Sequence, residues 1–411
     1  MADIDAVITG IGVIAPSGIG KEIFWKGLEA GLDTVSEVTA FDTGKFNVHC
    51  AAEIKNFSAE QFLGAKGLRS IDRSALVLMV AAQQAIEEAK LEIIDATTDD
   101  FGVCTGTTFS HLGAIIEFDR EVLRDGLEFS NPAFFPSTVI NAASSQVSIR
   151  FNIQGFNTTI STGFTAGLDA LKYSIDALAT NKAKTVLTGS VDVLTSSLFF
   201  GFHKLGYMAG LTGPALSCPF DARRNGPVLG EAATVFCVED AARARSRGVK
   251  IYARIKSVAC HFDAFRMGKI HPQGLGIEKA IVKALRDARL RPADIDYISS
   301  CANSSKELDS IEVKVLRRVF GDNLKRIPVS SVKSMLGETF SAAGPLQIVS
   351  CLGAMHRGII PPTINYQEKD ALCDIDCVPN VSRKRDVRRA LITSFGPGGY
   401  NSACVLERWE N

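Results

Sequence analysis

Residues Asn157 to Lys172 read NTTISTGFTAGLDALK. An apolar strand running into a small-residue turn that opens a helix is a form that presents a nucleophile, and the centre of this turn is Phe164. Phenylalanine has no nucleophilic atom, and no neighbouring base can activate it. Other reactive groups lie further on: a thiol at Cys301 in CANSSKELDSIE, an amine at Lys333 and a carboxylate at Glu338 in KSMLGE. Cys301 with Glu338 could form a relocated nucleophile and base. Equally, Cys301 after an apolar strand reads as an inert buried thiol, and Glu338 as the ion-pair partner of Lys333. The close pair Cys373 and Cys377 in CDIDC has no second cluster to complete a zinc site, so no metal site is expected.

The elements that must carry these groups alternate. DAVITGIGVI is a buried strand run, RSALVLMVAAQQAIEEAKL has helical spacing and good helix formers, and FGVCTGT is a short strand ending in a turn. GLDALKYSIDALATNKA is an amphipathic helix followed by the strand KTVLTGSVDVL. This alternation predicts an α/β protein with a largely buried sheet. A repeat is visible as well: STGFTAGLDALKYSIDALATNKAKTV parallels MLGETFSAAGPLQIVSCLGAMHRGII. Two halves of one topology are expected, residues 1–250 and 251–411. The small residues on the paired helices suit close approach at the centre of stacked layers.

Composition narrows the function class. The chain has 411 residues, 45 basic and 45 acidic, which gives nucleic acid and anionic membranes no electrostatic hold. No apolar run reaches the length of about 18 residues that a membrane span needs. The N-terminus lacks a basic segment and an uninterrupted apolar core, so no signal peptide is expected. Ten scattered cysteines fit reduced thiols and a cytoplasmic location.

Five stretches together resemble the β-ketoacyl-acyl carrier protein synthase family, in the same order along the chain. They are VITGIGVIAPSGIG with FWKGLEAG, the Phe164 loop, PFDARRNGPVLGEAATVFCVE, CANSSKELDSIE, and SSVKSMLGETFSAAG followed by GIIPPTINY and TSFGPGGYNSACVLE. The resemblance implies a thiolase-like duplicated fold of five layers, α-β-α-β-α. It also implies a chemistry in which a cysteine carries an acyl thioester and two histidines assist decarboxylation of a malonyl donor. This sequence departs from the family at each of those positions. Phe164 stands for the cysteine, Cys301 for the first histidine and Glu338 for the second; only Lys333 is retained. None of the six histidines falls in a catalytic motif. A carboxylate is also the wrong sign where an oxyanion would develop. The glycine loop, GPGGYN, carries Pro397 and Tyr400, which stiffens it. Asp309 and Glu312 are expected to support loops, and Arg223 and Arg224 to form a solvated turn near which an acidic carrier protein could dock.

The pattern is similar to the chain-length factors, ketosynthase-like β subunits of type II polyketide synthases. The resemblance implies no catalytic residue and no cofactor on this chain. It implies a heterodimer with a ketosynthase α subunit, at which the phosphopantetheine of an acyl carrier protein acts. By the same resemblance, TGTTFSHLGAIIEFDREVL would line the far end of a tunnel through Phe109, His111, Leu112, Ala114, Ile115 and Phe118, and Phe134, Phe135 and Asn141 would lie at the dimer interface. An amphipathic interface helix without a gating role fits the same stretch. Two other functions fit the chain: an atypical acyltransferase using Cys301 and Glu338, and a homodimeric scaffold.

Overall fold

The computed structural model describes residues 4–410. Two sets of five strands repeat one order. In the first, Asn157–Ile160, Phe101–Gly106, Thr185–Asp192, Ala232–Asp240 and Ala6–Ala15 lie side by side. In the second, Val329–Ser330, Tyr297–Ser299, Arg389–Phe395, Tyr400–Arg408 and Ala253–Phe262 take the corresponding places. The directions repeat too. The first three strands of each set are parallel, and the last two join antiparallel. The sets meet through two residue pairs only, Val7 with Arg254 and Ile8 with Ala253.

Helices complete the layers. Arg73–Glu88 covers the outer face of the first set and buries Val77, Leu78, Ala81, Ala82 and Ala85, spaced as its sequence predicts. Asp72 starts it, accepting the backbone N–H of Ser74 at 2.8 Å. Ala166–Ala179 and Ala343–Arg357 lie between the sets and touch strands of both. Leu275–Asp287 and Lys306–Phe320 cover the far side. The architecture is the thiolase-like α-β-α-β-α fold expected from the sequence. The central helices approach closely because of their small residues. A methyl group added at Gly167 would stand 2.5 Å from Pro345 and from the Ser341 carbonyl. Among the described residues, no helix is long and apolar enough to cross a membrane.

Candidate functional site

Phe164 lies in the short turn Gly163–Thr165, between the edge strand Asn157–Ile160 and the central helix Ala166–Ala179. It is 8% exposed. Its ring stands edge-on to Phe340, with centroids 5.4 Å apart. It also fills the space above Gly396, where a Cβ would meet the ring at 2.6 Å. Phe340 is the hub of the cluster: Phe109 and Phe202 each stand 5.2 Å from it. Its backbone is left-handed (φ 54°), a conformation costly for a bulky residue and often found at functional sites. Gly163 is also left-handed, which glycine adopts without steric cost, and nothing stands where a Cβ would point, so a side chain there would be opposed by the backbone conformation alone.

A buried polar cluster lies beside the aromatic one. Lys333, in the turn Lys333–Leu336, donates to Glu338 at 2.8 Å and to the Cys301 sulfur at 3.4 Å. Glu338 also accepts from the Asn303 amide at 2.8 Å and from the Phe340 backbone N–H at 3.0 Å. The Cys301 thiol donates to the Phe395 carbonyl at 3.1 Å, and the Phe395 N–H points back at the sulfur at 3.3 Å. Ser394, the residue before, donates to the Phe164 carbonyl at 3.1 Å, so one strand end ties the two clusters together. Burial pushes the Cys301 thiol up to about 12, with the Lys333 ammonium opposing, so the group is a thiol near neutral pH. Burial works against the charge on Lys333, yet its hydrogen bonds to Cys301 and Glu338 and the charge of the Glu338 carboxylate hold the amine above its ordinary value. A buried protonated thiol is a poor nucleophile.

The supporting carboxylates are placed one shell out. Glu312 accepts from the Ser300 hydroxyl at 2.6 Å, the Thr393 hydroxyl at 2.6 Å and the Cys301 N–H at 3.2 Å. Asp309 accepts from the backbone N–H groups of Phe220 and Asn303, at 3.0 and 2.9 Å. The pair Arg223 and Arg224 corrects the solvated-turn expectation. Arg224 is 1% exposed and bonds Asp370 at 2.5 Å, while Arg223 is held by Asp221 at 2.8 Å. Their guanidinium groups are engaged within the chain because the turn folds under the loop that carries Asp370.

The six residues proposed to line a tunnel divide between two environments. Phe109 and Leu112 pack inward on the aromatic cluster. Ala114 and Phe118, on the helix Leu112–Asp125, line a cleft of about 390 Å³ together with Phe134, Arg69 and Glu121. His111 is half-buried, with its Nδ1 lacking a partner among the described residues, and Ile115 is half-buried as well. Phe135 is exposed and stacks edge-on against Phe118 at 5.7 Å; Asn141 is exposed at the start of the helix Ala142–Phe151. Sequence reasoning passed over Phe340 and Asn303. Both stand within a few residues of singled-out positions, in GETFSAAG and CANSS, and that proximity was the available signal.

Comparisons with known proteins identify the family. The family model for the beta-ketoacyl synthase N-terminal domain matches residues 4–244, and that for the C-terminal domain matches 252–367. The 3-oxoacyl-(acyl-carrier-protein) synthase 2 of Coxiella burnetii is 33% identical over 405 residues, covering 98% of each chain. The tetracenomycin polyketide synthase ketoacyl synthase alpha subunit of Streptomyces glaucescens is 33% identical over 416 residues, covering 98% of this chain and 96% of its own. Among solved structures, the ishigamide ketosynthase/chain length factor superposes with a TM-score of 0.93 at 29% identity, over 100% of both chains. A type II PKS acyl-carrier protein in complex with its ketosynthase bound to the hexaketide gives 0.89 at 27% identity, over 99% of this chain and 100% of that one. The chain belongs to the beta-ketoacyl synthase family.

Proposed function

We propose that this chain is a non-catalytic ketosynthase-like subunit of a type II polyketide synthase, a chain-length factor. It pairs with an active ketosynthase, forms one wall of the polyketide tunnel and limits the number of units added. Acyl transfer and decarboxylative condensation take place at the partner, where the phosphopantetheine arm of an acyl carrier protein delivers its cargo. The observation that carries this reading is Phe164: an aromatic ring occupies the nucleophile position and is packed against Phe340 and Gly396.

Two further features support it. Leu123, Leu127, Phe129, Phe134 and Phe135 are exposed apolar side chains, and Phe134 lines the cleft together with Ala114 and Phe118, which suits a hydrophobic interface. The likeness to a structure titled ketosynthase/chain length factor points the same way.

The test is co-expression with an intact ketosynthase α subunit from the same source, followed by size-exclusion chromatography with mass analysis. Products are then compared for wild type and Phe118→Ala, with carrier protein and a malonyl donor. A one-to-one complex whose products lengthen in the variant is the expected outcome. A stable homodimer without a ketosynthase would support the scaffold reading instead. Acyl transfer by the chain alone, with stoichiometric iodoacetamide labelling of Cys301, would make it an enzyme in its own right.

A further inference from the structure

Asp192 ends the strand Thr185–Asp192 and is fully buried. It has no counter-ion among the described residues; hydrogen bonds alone surround it. Its Oδ1 accepts from the Thr107 hydroxyl at 3.1 Å, the Thr108 N–H at 3.1 Å and the Phe109 N–H at 2.6 Å. Its Oδ2 accepts from the Ser341 N–H at 3.0 Å and the Ser341 hydroxyl at 2.5 Å. The Thr108 N–H also reaches Oδ2 at 3.3 Å, so the carboxylate as a whole grips two separate segments. One begins the loop that carries Phe109; the other directly follows Phe340.

Those two rings stand 5.2 Å apart, edge to face. The grip extends further, because the Thr108 hydroxyl donates to the Gly163 carbonyl at 2.8 Å, next to Phe164. Burying a carboxylate is expensive and is tolerated here only because each oxygen is met by donors. Burial raises the Asp192 carboxyl above its ordinary range, and the donors from Ser341, Phe109 and Thr108 oppose that rise.

We infer that Asp192 is the positioning residue of the aromatic wall: it sets where the rings of Phe109 and Phe340 stand and so fixes the inner boundary available to a growing acyl chain. The part of this inference that concerns the acyl chain rests on the proposed chain-length role; the part that concerns ring position does not.

Asp192→Asn is the informative change. An amide keeps the shape but turns one oxygen into a donor, which then faces donors from Phe109 or from Ser341. The full-length protein is labelled with fluorophenylalanine, and the fluorine resonances of Phe109 and Phe340 are identified by their loss in Phe109→Leu and Phe340→Leu. In Asp192→Asn both resonances should shift or broaden, while that of Phe320, in the far core, stays in place. If the variant does not fold, Thr107→Val and Ser341→Ala, each lacking one hydroxyl donor, carry the same readout. Unchanged Phe109 and Phe340 resonances would overturn the assignment, whatever the chain's function. In the complex with a ketosynthase, the same variants should shift the product-length distribution while the complex stays intact. Moved resonances with an unmoved distribution would refute the link from ring position to chain length.

Discussion

Phe164→Ala removes the ring that occupies the nucleophile position. The side chain is 8% exposed, so nearly all of the transfer and cavity cost applies. Buried phenylalanine-to-alanine changes cost about 3–5 kcal/mol. The edge-to-face contact with Phe340 places this site toward the middle of that range, about 4 kcal/mol. The walls cannot close the gap easily. Phe340 is held by its backbone bond to Glu338, and Gly396 offers no side chain to move in. With an unfolding entropy of about 2.1 cal/mol/K per residue, a chain of 411 residues melts with about 0.9 kcal/mol/K. The midpoint should therefore fall by about 4–5 °C in a calorimetric scan of the purified protein. Phe164→Leu, which keeps most of the volume, should cost about 1 kcal/mol. A fall of only about 1 °C for the alanine variant would show that the ring is not packed in solution, and the reading of Phe164 as a plug would fail.

Two further changes probe the polar clusters. Glu338→Gln leaves the Lys333 ammonium buried without its counter-charge, since both side chains are almost wholly covered. It should destabilise by about 3–5 kcal/mol, and Lys333→Met in the same chain should recover most of that loss in urea unfolding. A single variant costing under about 1 kcal/mol would refute the buried ion pair. Asp309 gives a pH signature. Burial raises its carboxyl to about 6, against Arg224 and two backbone N–H donors, while the unfolded value is about 3.9. The native state holds this proton longer, so the contribution favours folding at low pH and is lost as pH rises through about 6. The loss amounts to about 2 kcal/mol between pH 4 and 7, and Asp309→Asn should remove it from the stability profile. Parallel profiles for variant and wild type would refute the shift.

Legibility differed between fold and site for physical reasons. The helix Arg73–Glu88 could be read because its apolar residues recur at helical spacing and face one sheet. The central helices could be read because close approach demands glycine and alanine, and a run of both stands out in STGFTAG and SAAG. Cys301, Lys333 and Glu338 were found through motif order, and the fold brings them into one hydrogen-bonded group. Phe340 was not found, because a single phenylalanine in a small-residue stretch carries no period and its left-handed backbone leaves no mark on residue type. Arg224 was misread for a related reason. A charged pair in a turn looks solvated until the loop bearing Asp370, 146 positions later, closes over it. Asp192 was equally hidden, since its Ser341 donors stand 149 positions away.

The strand Asn157–Ile160 pairs along one side with Phe101–Gly106 and ends the sheet, so its other side meets no strand among the described residues. Its residues are exposed or half-exposed, and no proline or lysine interrupts them. Unpaired backbone N–H and C=O groups on such a border are a template for any extended segment that arrives. The chain is thus an aggregation hazard for as long as that border is uncovered. Copies made in excess over whatever covers it would accumulate as insoluble or degraded material. If the proposed ketosynthase partner is what covers it, the ratio of synthesis between the two chains becomes a quantity the cell must control.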